Sequence, residues 1–196
     1  YCMADLPIYE LKISEEIKDD AEVSFIAFVD SPAIKRDFLA FKESVKFEVV
    51  SEDQRIVTGP LMIPDQLIYR NSDKFGEHYV KFSAETIQAI SIKFAKKGFH
   101  KNVNIMHEED LQVDDVTMFG SFISNTAMGI KPMSAFADLP DGTWFGSFYV
   151  ENQAVWDMIK SQKIRGFSVE GMFDYEKPAS KEEEALKQIA KLLAAI

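Results

Sequence analysis

The chain has 196 residues, with 32 acidic against 22 basic side chains, a net charge of −10, 46% hydrophobic residues and 16 phenylalanines. That apolar share suffices for a sizeable core and excludes wholesale disorder, while the acidic balance argues against a dedicated nucleic-acid binder, which needs a basic face for phosphates. A single cysteine, Cys2, excludes an intrachain disulfide framework and a cysteine-built zinc site, and no apolar run approaches the roughly 18 residues of a membrane-spanning helix.

Residues 7–13 alternate as a strand through Ile8, Tyr9, Leu11 and Ile13. Residues 21–29 (AEVSFIAFV) form a nearly continuous β-branched and aromatic run, the pattern of a strand buried on both faces. Asp30-Ser31-Pro32 breaks it, and Ile34, Phe38 and Phe41 suggest a short helix over 33–41. A weakly alternating strand is expected at 45–50 and another at 54–63, interrupted at Gly59-Pro60, then a turn at Asn71-Ser72-Asp73 with Gly76, and a strand fragment at 79–82.

Ser83 is a good N-cap, and a helix runs from there to about Lys97, with Gly98 as its stop. A short strand at 103–106 and a longer one at 117–124 follow, then a loop over 128–141 with Pro132, Pro140 and the turn Asp141-Gly142. Residues 144–150 alternate as a strand. Asn152 caps a helix through about 162, and residues 167–175 make the last strand. Pro178 closes the domain. From Lys181 to the end, Leu186, Ile189, Leu193 and Ile196 share one stripe of an amphipathic helix.

The expected class is α+β: one domain over 1–178, a largely antiparallel or mixed sheet able to close into a small barrel, with two or three flanking helices. The amphipathic helix over 179–196 is set apart from it. No basic stretch ahead of an apolar one marks a signal peptide, so a soluble protein of a reducing compartment is expected.

Three histidines are available for chemistry. His78, beside the Gly76 turn, and His100, after the helix end, read as exposed loop residues. His107 ends the apolar segment Val103-Asn104-Ile105-Met106, a position suited to a general base. The acidic run Glu108-Glu109-Asp110 with Asp114-Asp115 invites a Mg²⁺ or Mn²⁺ hydrolase reading, but its spacing fits no EF-hand loop and no His-Glu-x-x-His helix. A solvated acidic loop explains it better. Ser168 lies in Arg165-Gly166-Phe167-Ser168-Val169-Glu170-Gly171, where the small residues at 166 and 171 would let backbone come close to a substrate. The glycine spacing is not that of the α/β-hydrolase nucleophile elbow. No glycine-rich phosphate loop is present.

The order of these segments resembles a capsid-maturation (prohead) serine protease of tailed bacteriophages, a family that shares its chemistry and a small β-barrel with the herpesvirus assemblins. The likeness covers roughly 55–175. It runs from Gly59 and Leu67-Ile68-Tyr69-Arg70, through the helix at 83–97, to Val103-Asn104-Ile105-Met106-His107, similar to the family's histidine segment. It continues through the strands at 117–124 and 144–150 and the helix at 152–162 to Gly166-Phe167-Ser168-Val169-Glu170-Gly171, similar to its nucleophile strand.

The resemblance implies a serine endopeptidase that cleaves scaffold and major capsid proteins inside an immature capsid, in the host cytoplasm. Ser168 is then the nucleophile, activated by an adjacent base because a free hydroxyl is a poor nucleophile, and His107 is that base. The family's acid opens an apolar strand that follows the serine. The matching strand here is Glu22-Val23-Ser24-Phe25-Ile26-Ala27-Phe28, before the histidine, so Glu22 is expected as the third member in a circularly permuted order. Asp30 and Glu170 compete for that place. Backbone amides of 168–171 are candidates for the oxyanion hole, no cofactor is required, and neither a nucleic-acid nor a membrane partner is expected. The tail from Lys181 suits association with other subunits. The rival reading is a non-enzymatic phage structural or scaffold-associated protein that keeps the fold.

Overall fold

The strongest apolar run in the sequence becomes the middle strand of a sheet. In the computed structural model, which describes residues 6–30, 46–108 and 112–176, strands β1 (Ile8–Lys12) and β2 (Glu22–Val29) lead to β3 (Glu48–Ser51), β4 (Ile56–Met62), β5 (Ile68–Ser72) and β6 (Gly76–Lys81). Helix α1 (Ala84–Lys97) precedes β7 (Val103–Ile105), β8 (Val116–Ile123) and β9 (Trp144–Val150). Helix α2 (Gln153–Lys160) leads to β10 (Gly166–Met172) and β11 (Asp174–Glu176). The class is α+β. The short helix expected at 33–41 and the C-terminal helix fall outside the described residues.

The strands form three sheets, ordered β11-β1-β6-β5, β10-β2-β7 and β3-β4-β9-β8. Most pairs are antiparallel; β1 with β6 and β2 with β7 are parallel. The sheets do not close into a barrel. Where β10 comes nearest the third sheet, one backbone bond from Phe47 N–H to Arg165 O (2.9 Å) spans the gap, and side chains fill the rest. Phe28 of β2 meets Phe148 of β9 at 5.2 Å and Phe167 of β10 at 5.0 Å, and Phe47 packs at a tilt against Phe167 at 5.1 Å. The inward faces of two sheets thus share one aromatic core.

Local chemistry sets the helix limits. Ser83 Oγ accepts from Thr86 N–H, and Gly98 ends α1 at φ 71°, a left-handed value that a Cβ would disfavour. Ile87, Ile90 and Phe94 face inward, Phe94 against Trp144 at 5.5 Å. Asn152 caps α2 through Val155 N–H. That helix stops two residues before the expected 162, because the chain leaves helical dihedrals at Gln162, φ 57°.

Two expectations need correction. The single strand expected at 167–175 is two, broken at Phe173: β10 pairs with β2, and β11 joins β1 in another sheet. His78 is not an exposed loop residue. It lies inside β6 and is fully buried, with Nδ1 2.8 Å from Gly76 O and its ring edge-on to Tyr9 at 5.5 Å and Tyr175 at 5.7 Å. Proximity to a turn misled because β6 starts at the turn glycine itself, and strand alternation then sends His78 inward. His100 is half-buried, its ring edge-on to Phe94.

The glycine at 171 is required by the fold. The register between β10 and β2 shifts between Glu170 and Gly171, and there the strands come so close that an added Cβ would sit 1.9 Å from Glu22 O. Gly171→Ala must push two backbones apart. Overpacking of this kind costs about 3 kcal/mol, so a lowered denaturation midpoint in urea is expected. A midpoint matching the parent's would show that β10 and β2 are not in this contact.

Candidate active site

The site is built on the three-stranded sheet. β10 runs antiparallel to β2 with Ser168 opposite Ala27, and β7 runs parallel on the other side with Asn104 opposite Ala27. Ser168, Ala27 and Asn104 therefore form one row across three strands. Neighbours in register share a face, and faces alternate along each strand. Phe167, Phe28 and Ile105 point into the core, so Ser168, Ala27 and Asn104 point the other way, and Glu170 shares their side of β10.

His107 reaches this face through a tight turn. Glu108 N–H donates to Ile105 O at 3.1 Å, and the two central residues, Met106 (φ 55°) and His107 (φ 61°), are both left-handed. Paired positive φ values mark the mirror-image hairpin turn, normally built from Asn and Gly. Methionine has no special tolerance for that region, whereas histidine visits it more readily. The turn is pinned on both sides: Met106 N–H donates to Phe28 O at 3.1 Å, and Val113 N–H donates to Val103 O at 2.9 Å. Such strained positions persist where surrounding structure fixes them, and they gather at functional sites.

The outcome is a carboxylate–imidazole pair. His107 Nδ1 lies 2.6 Å from Glu170 Oε1, and Asn104 Nδ2 donates to the same oxygen at 2.9 Å. An ionised carboxylate only accepts hydrogen bonds, so Nδ1 of a neutral His107 carries the proton and Nε2 keeps its lone pair. Glu170 is two residues from Ser168, about 6.5–7 Å along the strand, on the same face. Ser168 is 9% exposed. Its hydroxyl makes no hydrogen bond to another described residue, so it does not act as a tied structural serine among them.

The expected Glu22–His107 pairing is not among the contacts of the described residues. Glu22 opens β2 beyond the register shift, opposite Met172, and its buried side chain is turned to α1. There it pairs with Lys97 and lies 3.5 Å from Lys93, two lysines of α1. Lys93 Nζ also donates to the carbonyls of Ser14 (2.8 Å) and Asp19 (2.9 Å), tying down the chain that enters β2. Asp30 is exposed, and its backbone carbonyl accepts from Arg165 Nε at 3.1 Å. Glu170, expected only as a competitor, holds the imidazole. Asn104 was not singled out by sequence, although a polar residue between Val103 and Ile105 was the visible signal.

Among the described residues no group of His, Cys, Asp or Glu is arranged to hold an ion, and Glu109 and Asp110 of the acidic run lie outside them. No helix of the described residues is long and apolar enough to cross a membrane.

A family model described as "Putative phage serine protease XkdF" matches residues 44–176. That span holds Asn104, His107, Ser168 and Glu170; Glu22 precedes it. No curated protein and no solved structure matches.

Proposed function

The chain belongs to that phage serine protease family, and from this premise we propose that it is a serine endopeptidase with Ser168 as nucleophile, His107 as general base and acid, and Glu170 as the imidazole's partner. The observation that carries the proposal is the 2.6 Å contact between His107 Nδ1 and Glu170 Oε1, two residues from Ser168 on one sheet face. Ser168 Oγ attacks the scissile carbonyl carbon while its proton passes to His107 Nε2. The imidazolium then gives that proton to the departing amine as the C–N bond breaks. Water, deprotonated by the same nitrogen, releases the acyl group. Glu170 holds the productive tautomer and stabilises the transient imidazolium beside it.

β10 borders its sheet, so alternate N–H groups point away from β2. These amides are our candidates for the oxyanion donors. With Glu170 in the third place, the chain order is histidine, serine, acid, and the reading no longer requires a permutation. The substrates we propose are the scaffold and major capsid proteins of an immature phage capsid assembling in the host cytoplasm.

An organofluorophosphonate tests the nucleophile directly, since fluoride leaves as the serine Oγ–P bond forms. A single adduct is expected, mapped to Ser168 by peptide mass and absent in His107→Ala. An adduct on another serine in a preparation that cleaves substrate would remove Ser168 from this role.

A further inference from the structure

We infer that Asn104 is a positioning residue for Glu170, and that Ala27 is the gap over which the two meet; the inference rests on the catalytic reading above. Asn104 is 1% exposed and sits on β7, with β2 between it and β10. Its Nδ2 donates to Glu170 Oε1 at 2.9 Å, the same oxygen that faces His107 Nδ1 at 2.6 Å. The amide nitrogen must be the end that faces the carboxylate, because an amide oxygen there would oppose a second acceptor.

Two donors on one oxygen fix the carboxylate group. His107 alone would let it swing about its own side-chain torsions. Asn104, held on a strand and approaching from β7, prevents that rotation and keeps Oε1 on the imidazole. Geometry explains why an asparagine so placed can reach. Strands two positions apart are about 9.6 Å from each other, and the residue between is Ala27, wholly buried, whose methyl group leaves space above β2. A larger side chain there would part Glu170 from Asn104.

The other end of Asn104 argues against a purely structural role. Its Oδ1 is buried and has no hydrogen-bond partner among the described residues. Native structures keep few such orphans, and a leucine would fill the space without one. The asparagine is accounted for by what its nitrogen does to Glu170.

The test uses the full chain with Asn104→Leu, which keeps the shape and removes the donor, and Ala27→Val, which keeps Asn104 and blocks the crossing. Readouts are kcat and KM on a cleaved substrate, and ¹⁵N shifts of the His107 ring. Both variants should lower kcat about 10- to 100-fold with KM nearly unchanged, the size of effect that follows a small misplacement of catalytic groups. The ring nitrogens should move from the Nδ1–H tautomer toward a mixture. A folded variant of either kind with parental kcat and parental ring shifts overturns the inference. Should Asn104→Leu fail to fold, Asn104→Ala is read by the same two criteria. If Ser168→Ala or His107→Ala still cleaves, the catalytic reading itself fails. If those two are inactive while Asn104→Leu retains parental kcat and ring shifts, only the role of Asn104 falls.

Discussion

Glu170→Gln should lower kcat about 10³- to 10⁴-fold with little change in melting temperature, and Glu22→Gln should do the reverse. The first effect follows from the pair at 2.6 Å. A glutamine can turn its amide nitrogen toward Nδ1, which then becomes an acceptor, so the proton moves to Nε2 and blocks general-base catalysis. A comparable carboxylate-to-amide change in a Ser-His-Asp triad costs about 10⁴ in kcat. The stability cost is small because the Glu170 side chain is partly exposed and its volume is conserved.

Glu22 stands in the opposite situation. Its side chain is 9% exposed, between Lys93 at 3% and Lys97 at 16%. Removing one member of a buried ionic group leaves uncompensated charge and costs about 3–5 kcal/mol. For a chain of this length that is a fall on the order of 10 °C in Tm. Turnover per folded molecule should stay near the parental value. Melting curves and single-turnover cleavage on both variants check the pair of outcomes together. Loss of turnover in a well-folded Glu22→Gln, with Glu170→Gln active, would return the third place to Glu22.

Ser168→Ala and His107→Ala should each slow cleavage of scaffold or capsid protein about 10⁴- to 10⁶-fold, and the double variant should be little worse. The two groups act in one step: without the base the hydroxyl stays protonated, and without the hydroxyl the base has nothing to activate. Stability should change by less than about 1 kcal/mol for either variant. Ser168 has no hydrogen bond to lose among the described residues, and a missing hydroxyl leaves almost no cavity. Gel analysis of co-expressed substrate beside thermal melts makes the measurement. Complete processing by a folded Ser168→Ala protein would end the serine-protease reading.

Much of the fold was legible because its signals are local. Ser83, Gly98 and Asn152 act within one helical turn of themselves, so the sequence places the start and end of α1 and the start of α2. The apolar run at 21–29 carries large apolar side chains on both faces, and β2 is accordingly buried on both, Ala27 and Phe28 alike. The break of the last strand at Phe173 was not legible. Nothing in Phe167-Ser168-Val169-Glu170-Gly171-Met172-Phe173-Asp174-Tyr175 says that the chain changes sheets; β1 decides it by pairing with the second half. His78 was misjudged for a related reason, since the turn glycine beside it opens a strand whose inward face is occupied by Tyr9, Phe75 and Tyr175.

At the site the division is sharper. The sequence by itself determined that His107 ends a short apolar strand, that Ser168 lies in another strand, and that residues 168 and 170 share a side, because a strand's period of two is a property of its own backbone. It could not rank Glu22, Asp30 and Glu170. Their distances to His107 depend on how β10, β2 and β7 align, and register is set by contacts between residues far apart in the chain. The tertiary structure brings Glu170 to the imidazole and Glu22 to α1. Glu22, beyond the register shift, is held by the lysines of α1, while the register opposes Phe167 to Phe28 in the core. The same register turns Ser168 and Glu170 outward, to the side where Asn104 and His107 arrive from β7 and its turn.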